Sequence, residues 1–447
     1  MTSQKALDDF VRRNAHAKQT AEQALRDNPT DVATMCAVSA LYDSMGYFSA
    51  ARAVAARAII VAPESADAHI QHGVVCRHVG DFQAALTSFR QAIALRPLAV
   101  RAYHEAAQMG GLPPEDDTLQ TLENVFDQVR DDPERALLAG HAVAKVLEDR
   151  GEHQPSFDWL ERAKEGIKTQ YPYDAAQAER MHGAALNSGG NALGGYGSAE
   201  PIFIVGLPRT GTTLVDRIVA SHVDVQSAGE ISNWPVLVNC VAEQPRASMP
   251  TSEALKAAAA FDASILGNSY VQSTRPFTGE RPHFTDKSPN NYLLAPIIHR
   301  ALPNARIICV RRNPMDTCVS MFKQALPARQ YSFISDIADC ARHFLVFDRF
   351  VARCKESLPA DRFTEIRYES LVENFEAEVR RLIAFCGLAW DEQCLRFYES
   401  DTPVATPSGQ QVRAPIYRSS VGKWRKYGEK LRPALEILAD GGVSELT

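Results

Sequence analysis

The chain has 447 residues, 45% of them hydrophobic, with a formal charge of −6 and nine cysteines. That length allows more than one packed core, and the acidic balance excludes a broad nucleic-acid-binding surface. The cysteines are odd in number, scattered from Cys36 to Cys394 and without a C-x-x-C pair, which excludes a disulfide framework or zinc site and predicts reduced thiols. The N-terminal MTSQKALDDFVRRN places charges where a signal peptide needs its apolar run. No stretch approaches the roughly 18 uncharged apolar residues of a membrane span. The expectation is a cytoplasmic protein with no membrane span and no nucleic-acid partner.

Pro29, Pro63 and Pro97 recur at intervals of 34 residues, and the segments between them match internally. Gly46-Tyr47-Phe48 corresponds to Gly80-Asp81-Phe82, and Ala50-Ala51 to Ala84-Ala85. The pattern resembles tetratricopeptide repeats (TPR): two helices, a glycine turn, and a proline whose missing amide stops the second helix. A helical run from Glu134 to Glu148, a turn at Gly151 and a run from Ser156 to Lys164 predict a further, degenerate pair, so the solenoid is expected over residues 1–168. Such a solenoid offers a concave face to a protein partner; it serves equally well as a prop for the C-terminal half of the chain or as a homodimer face.

SGGNALGGYG, from Ser188 to Gly197, holds five glycines and reads as a flexible connector, giving a linker over 169–200. Beyond it, apolar runs at Ile202–Val205, Arg306–Val310 and Phe363–Arg367 are each followed by a helical pattern. This alternation predicts a parallel sheet flanked by helices over 201–447, with ligands at the carboxyl ends of the strands.

In PIFIVGLPRTGTTL, Gly206 and Gly211 stand in the G-x-x-x-x-G spacing of a phosphate-binding loop (P-loop), but Thr212 stands where a nucleotide triphosphatase has lysine. Glycines let backbone amides turn inward around an oxyanion, and the helix starting near Thr212 adds the positive end of its dipole. Arg209 supplies the mobile cation that the missing lysine would have given. PRTGTTL resembles the 5'-phosphosulfate loop of sulfotransferases, enzymes that use 3'-phosphoadenosine 5'-phosphosulfate (PAPS) and leave 3'-phosphoadenosine 5'-phosphate (PAP). The resemblance implies cofactor contacts from Arg209, Thr210, Gly211, Thr212 and Thr213.

The same resemblance continues along the chain. Glu230, in SAGEIS, matches the glutamate with which the tyrosylprotein type removes the acceptor proton, with His222 and His283 as rival bases. Lys287, in TDKSP, matches the lysine that neutralises the leaving phosphate. In VRRNPMDTCVS, Arg312 and Ser320 match the arginine and serine that hold the 3'-phosphate, while Arg311 reads as an exposed or paired neighbour. Gln324 stands where tyrosylprotein enzymes carry another arginine, and Ile231, Ser232 and Asn233 replace the residues suited to acidic peptides. Tyr368 is expected at the nucleotide, Ser408 near the transferred group and Lys423 at the 5'-phosphate. A metal is not called for, because Arg209, Lys287, Arg312 and Lys423 supply the positive charge.

The resulting expectation is an α-helical TPR solenoid followed by an α/β P-loop domain of sulfotransferase type. It would act as a PAPS-dependent O-sulfotransferase on a protein tyrosine, or on a glycan, lipid or small phenol. An ATP-dependent P-loop kinase and a TPR scaffold with an inactive nucleotide-binding domain are the alternatives.

Overall fold

The structure, a computed structural model, describes residues 3–190, 194–244, 249–400, 402–406 and 409–443. Among these, ten helices precede the first strand: α1 (Ser3–Asp27), α2 (Val32–Ser44), α3 (Phe48–Val61), α4 (Ala66–Val79), α5 (Phe82–Leu95), α6 (Val100–Gln108), α7 (Asp116–Val129), α8 (Pro133–Asp149), α9 (His153–Gln170) and α10 (Ala175–Asn187). The 34-residue period sets their starts. Val32, Ala66 and Val100 open α2, α4 and α6, and Phe48 and Phe82 open α3 and α5. Each repeat unit is cut by local chemistry. Ser65 caps α4 by accepting from the Ala68 amide, Gly80 ends it at φ 88°, and Asp81 caps α5 by accepting from Ala84.

The remaining elements are β1 (Pro201–Gly206), α11 (Thr212–Ala220), β2 (Val225–Ser227), α12 (Asn233–Val241), α13 (Ser252–Ala260), α14 (Ala263–Thr274), β3 (His283–Asp286), α15 (Ala295–Ala301), β4 (Arg306–Arg311), α16 (Pro314–Phe322), α17 (Ile337–Ser357), β5 (Phe363–Arg367), α18 (Tyr368–Glu373), α19 (Phe375–Phe385) and α20 (Arg432–Asp440). The strands form one sheet in the order β2-β3-β1-β4-β5, and every pairing is parallel. The chain runs outward from β1 to β2, then crosses to β4 on the other side. That reversal opens a crevice at the carboxyl end of β1, where α/β sheets bind ligands.

Both faces of the sheet are covered, so β1 is buried throughout. Ile202 and Ile204 pack with Ile308, Val310 and Ile366 beneath α11 and α19, while Phe203 and Val205 belong to the larger core on the opposite face. That larger core also contains Leu7 and Phe10 of α1, Ala144 of α8, and Phe157 and Leu160 of α9. Through α1, α8 and α9 the helical half therefore contributes to the core of the sheet half.

Within the segment expected as a linker, residues 175–187 form α10, which buries Ala178, His182, Ala184 and Ala185 and packs on α13 and α17. Its small residues supply a narrow apolar face, and only the glycines beyond Asn187 carry the signal of a flexible connector. Even there, the Tyr196 amide is pinned to Ala301 O at 2.8 Å. All nine cysteines are unpaired, and all but Cys36 are buried. Among the described residues no helix is long and apolar enough to cross a membrane.

Candidate functional site

The loop after β1 is built for close approach. Gly206 lies at φ 150° and Gly211 at φ 106°, and of the four residues between them Arg209 also has a positive φ, 69°. A Cβ on Gly206 would stand 2.5 Å from Val310 O, and one on Gly211 2.8 Å from Tyr368 Cδ2. Gly211 opens α11, whose first amides have no carbonyl partner within the helix and face the loop. The Thr210 hydroxyl turns inward and donates to Leu207 O at 2.8 Å, so it braces the loop and lines neither neighbouring cavity.

Arg312 follows the last residue of β4 and reaches across to this loop. Its Nη1 donates to Arg209 O at 3.1 Å and its Nη2 to Ser420 O at 2.5 Å, while its guanidinium carbon lies 4.8 Å from the Tyr368 ring centroid. Its Nε is buried without a hydrogen-bond partner among the described residues. Burial, with the Arg312 cation next to it, pushes the Arg209 guanidinium down to about 10. Two guanidiniums held this close repel one another, an arrangement that an anion between them would relieve. By contrast, Arg311 points away and pairs with Asp348 and Glu365.

Past Arg312, Asn313 caps α16 by accepting from the Met315 and Asp316 amides. Asp316 is buried, and its carboxylate accepts from the Gly422 amide at 2.6 Å and the Trp424 amide at 3.2 Å. Lys423 is thereby clamped by its two neighbours. One helical turn after Asp316, Ser320 faces the same cleft as Lys423.

On the other flank, β2 and β3 bring Glu230 and Lys287 together. The Ala228 amide bonds Thr285 O and the Lys287 amide bonds Gly229 O, both at 2.9 Å. The Lys287 ammonium, 2% exposed, makes an ion pair with Glu230, which is 44% exposed and faces the cavity. Beneath the lysine sit two buried carboxyls. Asp216 accepts from Thr285 Oγ1 at 2.5 Å and Ser227 Oγ at 3.0 Å; Asp286 accepts from Tyr270 OH at 2.8 Å and Asn291 Nδ2 at 3.2 Å. Burial raises both, and Asp286 is pushed up to about 8.

A carboxyl raised from an unfolded value of about 3.9 binds its proton more tightly in the folded state, so its contribution to stability is complete below that value and fades as pH rises through about 8. We expect the melting temperature to fall between pH 6 and pH 9, and Asp286→Asn to flatten that slope. Parallel melting curves for the two proteins across this range would refute the assignment.

One cavity gathers Arg209, Thr212, Thr213, Arg312, Tyr368 and Glu230. Thr406 and residues of the stretch 411–420 wall it: Thr406 Oγ1 lies 3.4 Å from Thr213 Oγ1, and Arg209 Nη2 donates to Gln411 Oε1 at 3.4 Å. Beside Glu230 the wall is apolar, with Pro289, Leu326 and Tyr331. A second cleft of about 650 Å³ adjoins it through Arg209 and Arg312 and contains Ser320 and Lys423. Ser408 lies outside the described residues. Neither rival base lines the cavity: His222 is buried against Ala389 O at 2.8 Å, and His283 opens β3 at the amino end of the sheet, 3.1 Å from Ala199 O. Sequence reasoning missed Asp216, Asp316 and Tyr331, because only their partners mark them out.

Residues 201–392 match the model described as the sulfotransferase family. A protein of Aquifex aeolicus (strain VF5), described as uncharacterized, is 31% identical over 392 residues, covering 82% of this chain; the chain spans 49% of that protein's length. Protein-tyrosine sulfotransferase A of Caenorhabditis elegans is 23% identical over 274 residues, covering 57% of this chain and 71% of the relative. Nodulation protein H of Rhizobium meliloti (strain 1021) is 27% identical over 210 residues, covering 42% and 77%. Residues 201–392, the stretch that matches the sulfotransferase family model, carry the glycine loop after β1, Glu230, Lys287, Arg312 and Tyr368.

Proposed function

We propose that this protein moves a sulfuryl group from PAPS to a hydroxyl acceptor of phenolic type, the class to which protein tyrosine belongs. The observation that carries this reading is that Arg209 and Arg312 line the same cavity as Glu230, with Arg312 Nη1 bonded at 3.1 Å to the backbone oxygen of Arg209. The residues fit the donor. Gly206 and Gly211, where a Cβ would clash, a buried Arg312 Nε without a partner among the described residues and an ammonium at Lys423 suit an adenosine phosphorylated at both ends of its ribose.

PAPS, when bound, supplies the sulfuryl group and the leaving phosphate. Arg209, Thr212, Thr213 and the first amides of α11 hold the 5' side, with Lys423 reaching the 5'-phosphate. Arg312 and Ser320 grip the 3'-phosphate, and Tyr368 packs against the nucleotide. Lys287 offers its ammonium where negative charge develops, and its ion pair orients the Glu230 carboxylate to take the acceptor's proton. Pro289, Leu326 and Tyr331 fit a flat aromatic ring, and Ile231 is buried where a peptide-binding cation would be needed. The name of the Caenorhabditis relative, a protein-tyrosine sulfotransferase, supports the same acceptor class.

PAP at about one hundred times its Kd should stabilise the chain by roughly 2.7 kcal/mol, read as a rise in Tm. A larger rise with ATP and magnesium would overturn the donor assignment in favour of a kinase. Asp316→Ala should weaken PAP about tenfold, since the Gly422 and Trp424 amides lose a charged acceptor. Asp316→Asn, which keeps one acceptor oxygen, should recover most of that affinity; equal loss in both variants would refute a positioning role.

A further inference from the structure

The second cleft lies between the helical repeats and the sheet domain, and each side contributes one wall. Arg312, Ser320 and Lys423 stand on the sheet-domain side, with Lys145 of α8, Arg77 of α4 and His153 of α9 facing them. Among the described residues cationic side chains outnumber carboxylates along its lining by seven to four, in a chain whose formal charge is −6. Such local reversal concentrates anions against the global field.

The walls are tied to one another. Lys323, the residue after α16, crosses the cleft to pair with Glu148 of α8, and Tyr427 OH donates to the same carboxylate at 3.3 Å. The Val404 amide bonds His78 O at 3.0 Å, and Arg413 Nη2 bonds the same oxygen at 3.3 Å, so the segment that walls the first cavity is seated on α4. Burial lowers the Lys323 pKa, Glu148 opposes this, and Lys423 and Lys145 push it further down, so Lys323 sits in the field of both other ammoniums. Glu148 is already taken by Lys323. Lys145 pairs with Asp149, one turn along its own helix at 2.5 Å, whose carboxylate is 39% exposed, and its charge also helps hold the Glu148 carboxyl low.

We propose that the helical repeats complete the donor site, with Lys145 of α8 binding the 3'-phosphate opposite Arg312 and Ser320. This rests on the assignment of PAPS as donor. The repeats are then part of the nucleotide pocket, and selectivity for a 3'-phosphorylated adenosine is shared by both halves of the chain. A dianionic phosphate is a stronger partner for Lys145 than a solvated aspartate, and both can be engaged because an ammonium has three donors.

The test is calorimetric titration of the full chain with PAP and with AMP, which lacks the 3'-phosphate. Lys145→Ala should weaken PAP about tenfold and Lys145→Glu further, with AMP affinity and Tm unchanged; Lys145→Arg should bind PAP like the wild type. Unchanged PAP affinity in both the Ala and Glu variants would overturn the proposal, as would equal losses for PAP and AMP. Should Lys145→Glu misfold, the Ala and Arg variants decide alone. A wild type that fails to bind PAP would overturn the donor reading and this proposal with it, whereas normal wild-type binding with indifferent variants would overturn only this one.

Discussion

Glu230→Gln is expected to lower kcat by about 100- to 10,000-fold, the range a positioned general base contributes, while PAP affinity should stay within about twofold of wild type. The substitution keeps the size of the side chain and an oxygen able to accept from Lys287, so the loop held by the Lys287 amide on Gly229 O is undisturbed. What is lost is the carboxylate that takes a proton. The measurement is transfer of labelled sulfate from PAPS to a small phenol, beside a titration with PAP. Wild-type turnover in the variant would remove Glu230 from the base role. His222 and His283 could not take it over, because both are engaged by backbone carbonyls outside the cavity.

Removal of residues 1–168 is expected to leave a fragment that does not fold cooperatively. As a linked solenoid the helical half would be dispensable for a small acceptor, but its contacts say otherwise. Leu7 and Phe157 are fully buried in the core of the sheet domain, and Phe157 stacks at 4.8 Å on Phe322 of α16. Each such side chain stabilises the fold by about 1.5–3 kcal/mol, and the loss of several is comparable with the ~5–15 kcal/mol by which a domain is stable at all. Lys164 of α9 is buried too. It donates to Gln324 O at 2.8 Å and Ile334 O at 3.1 Å, and burial brings its ammonium down to about 7. Truncation strips those two carbonyls of their donor. The check is near-ultraviolet circular dichroism and thermal melting of residues 169–447; a sharp melt with PAP binding equal to the full chain would refute the shared core.

Much of the site was legible because it is made of local chemistry. Gly206 and Gly211 are required by positive φ angles and by the closeness of Val310 O and the Tyr368 ring, needs that belong to a strand-to-helix turn of six residues. Arg312 was legible for a similar reason, since a residue just past a central strand must arrive at the crevice. Thr210 shows the limit of such reasoning: it shares the motif with Thr212 and Thr213, yet its hydroxyl is spent on Leu207 O. Asp316 was invisible as a clamp, because an aspartate in the first turn of a helix is already explained by the helix dipole, and its partners at Gly422 and Trp424 lie more than a hundred residues away.

The 34-residue helical repeat, the parallel strands and the glycine loop after β1 could be read from the chain alone, because periodicity, caps and glycine turns act within a few residues of one another. Only the tertiary structure decided that α1, α8 and α9 share a core with the sheet, that Lys323 meets Glu148 across 175 residues, and that Lys145 faces Ser320 over a common cleft. Those relations come from the way two amphipathic surfaces dock. Docking depends on shape and burial summed over distant segments, and no short stretch of sequence carries that sum.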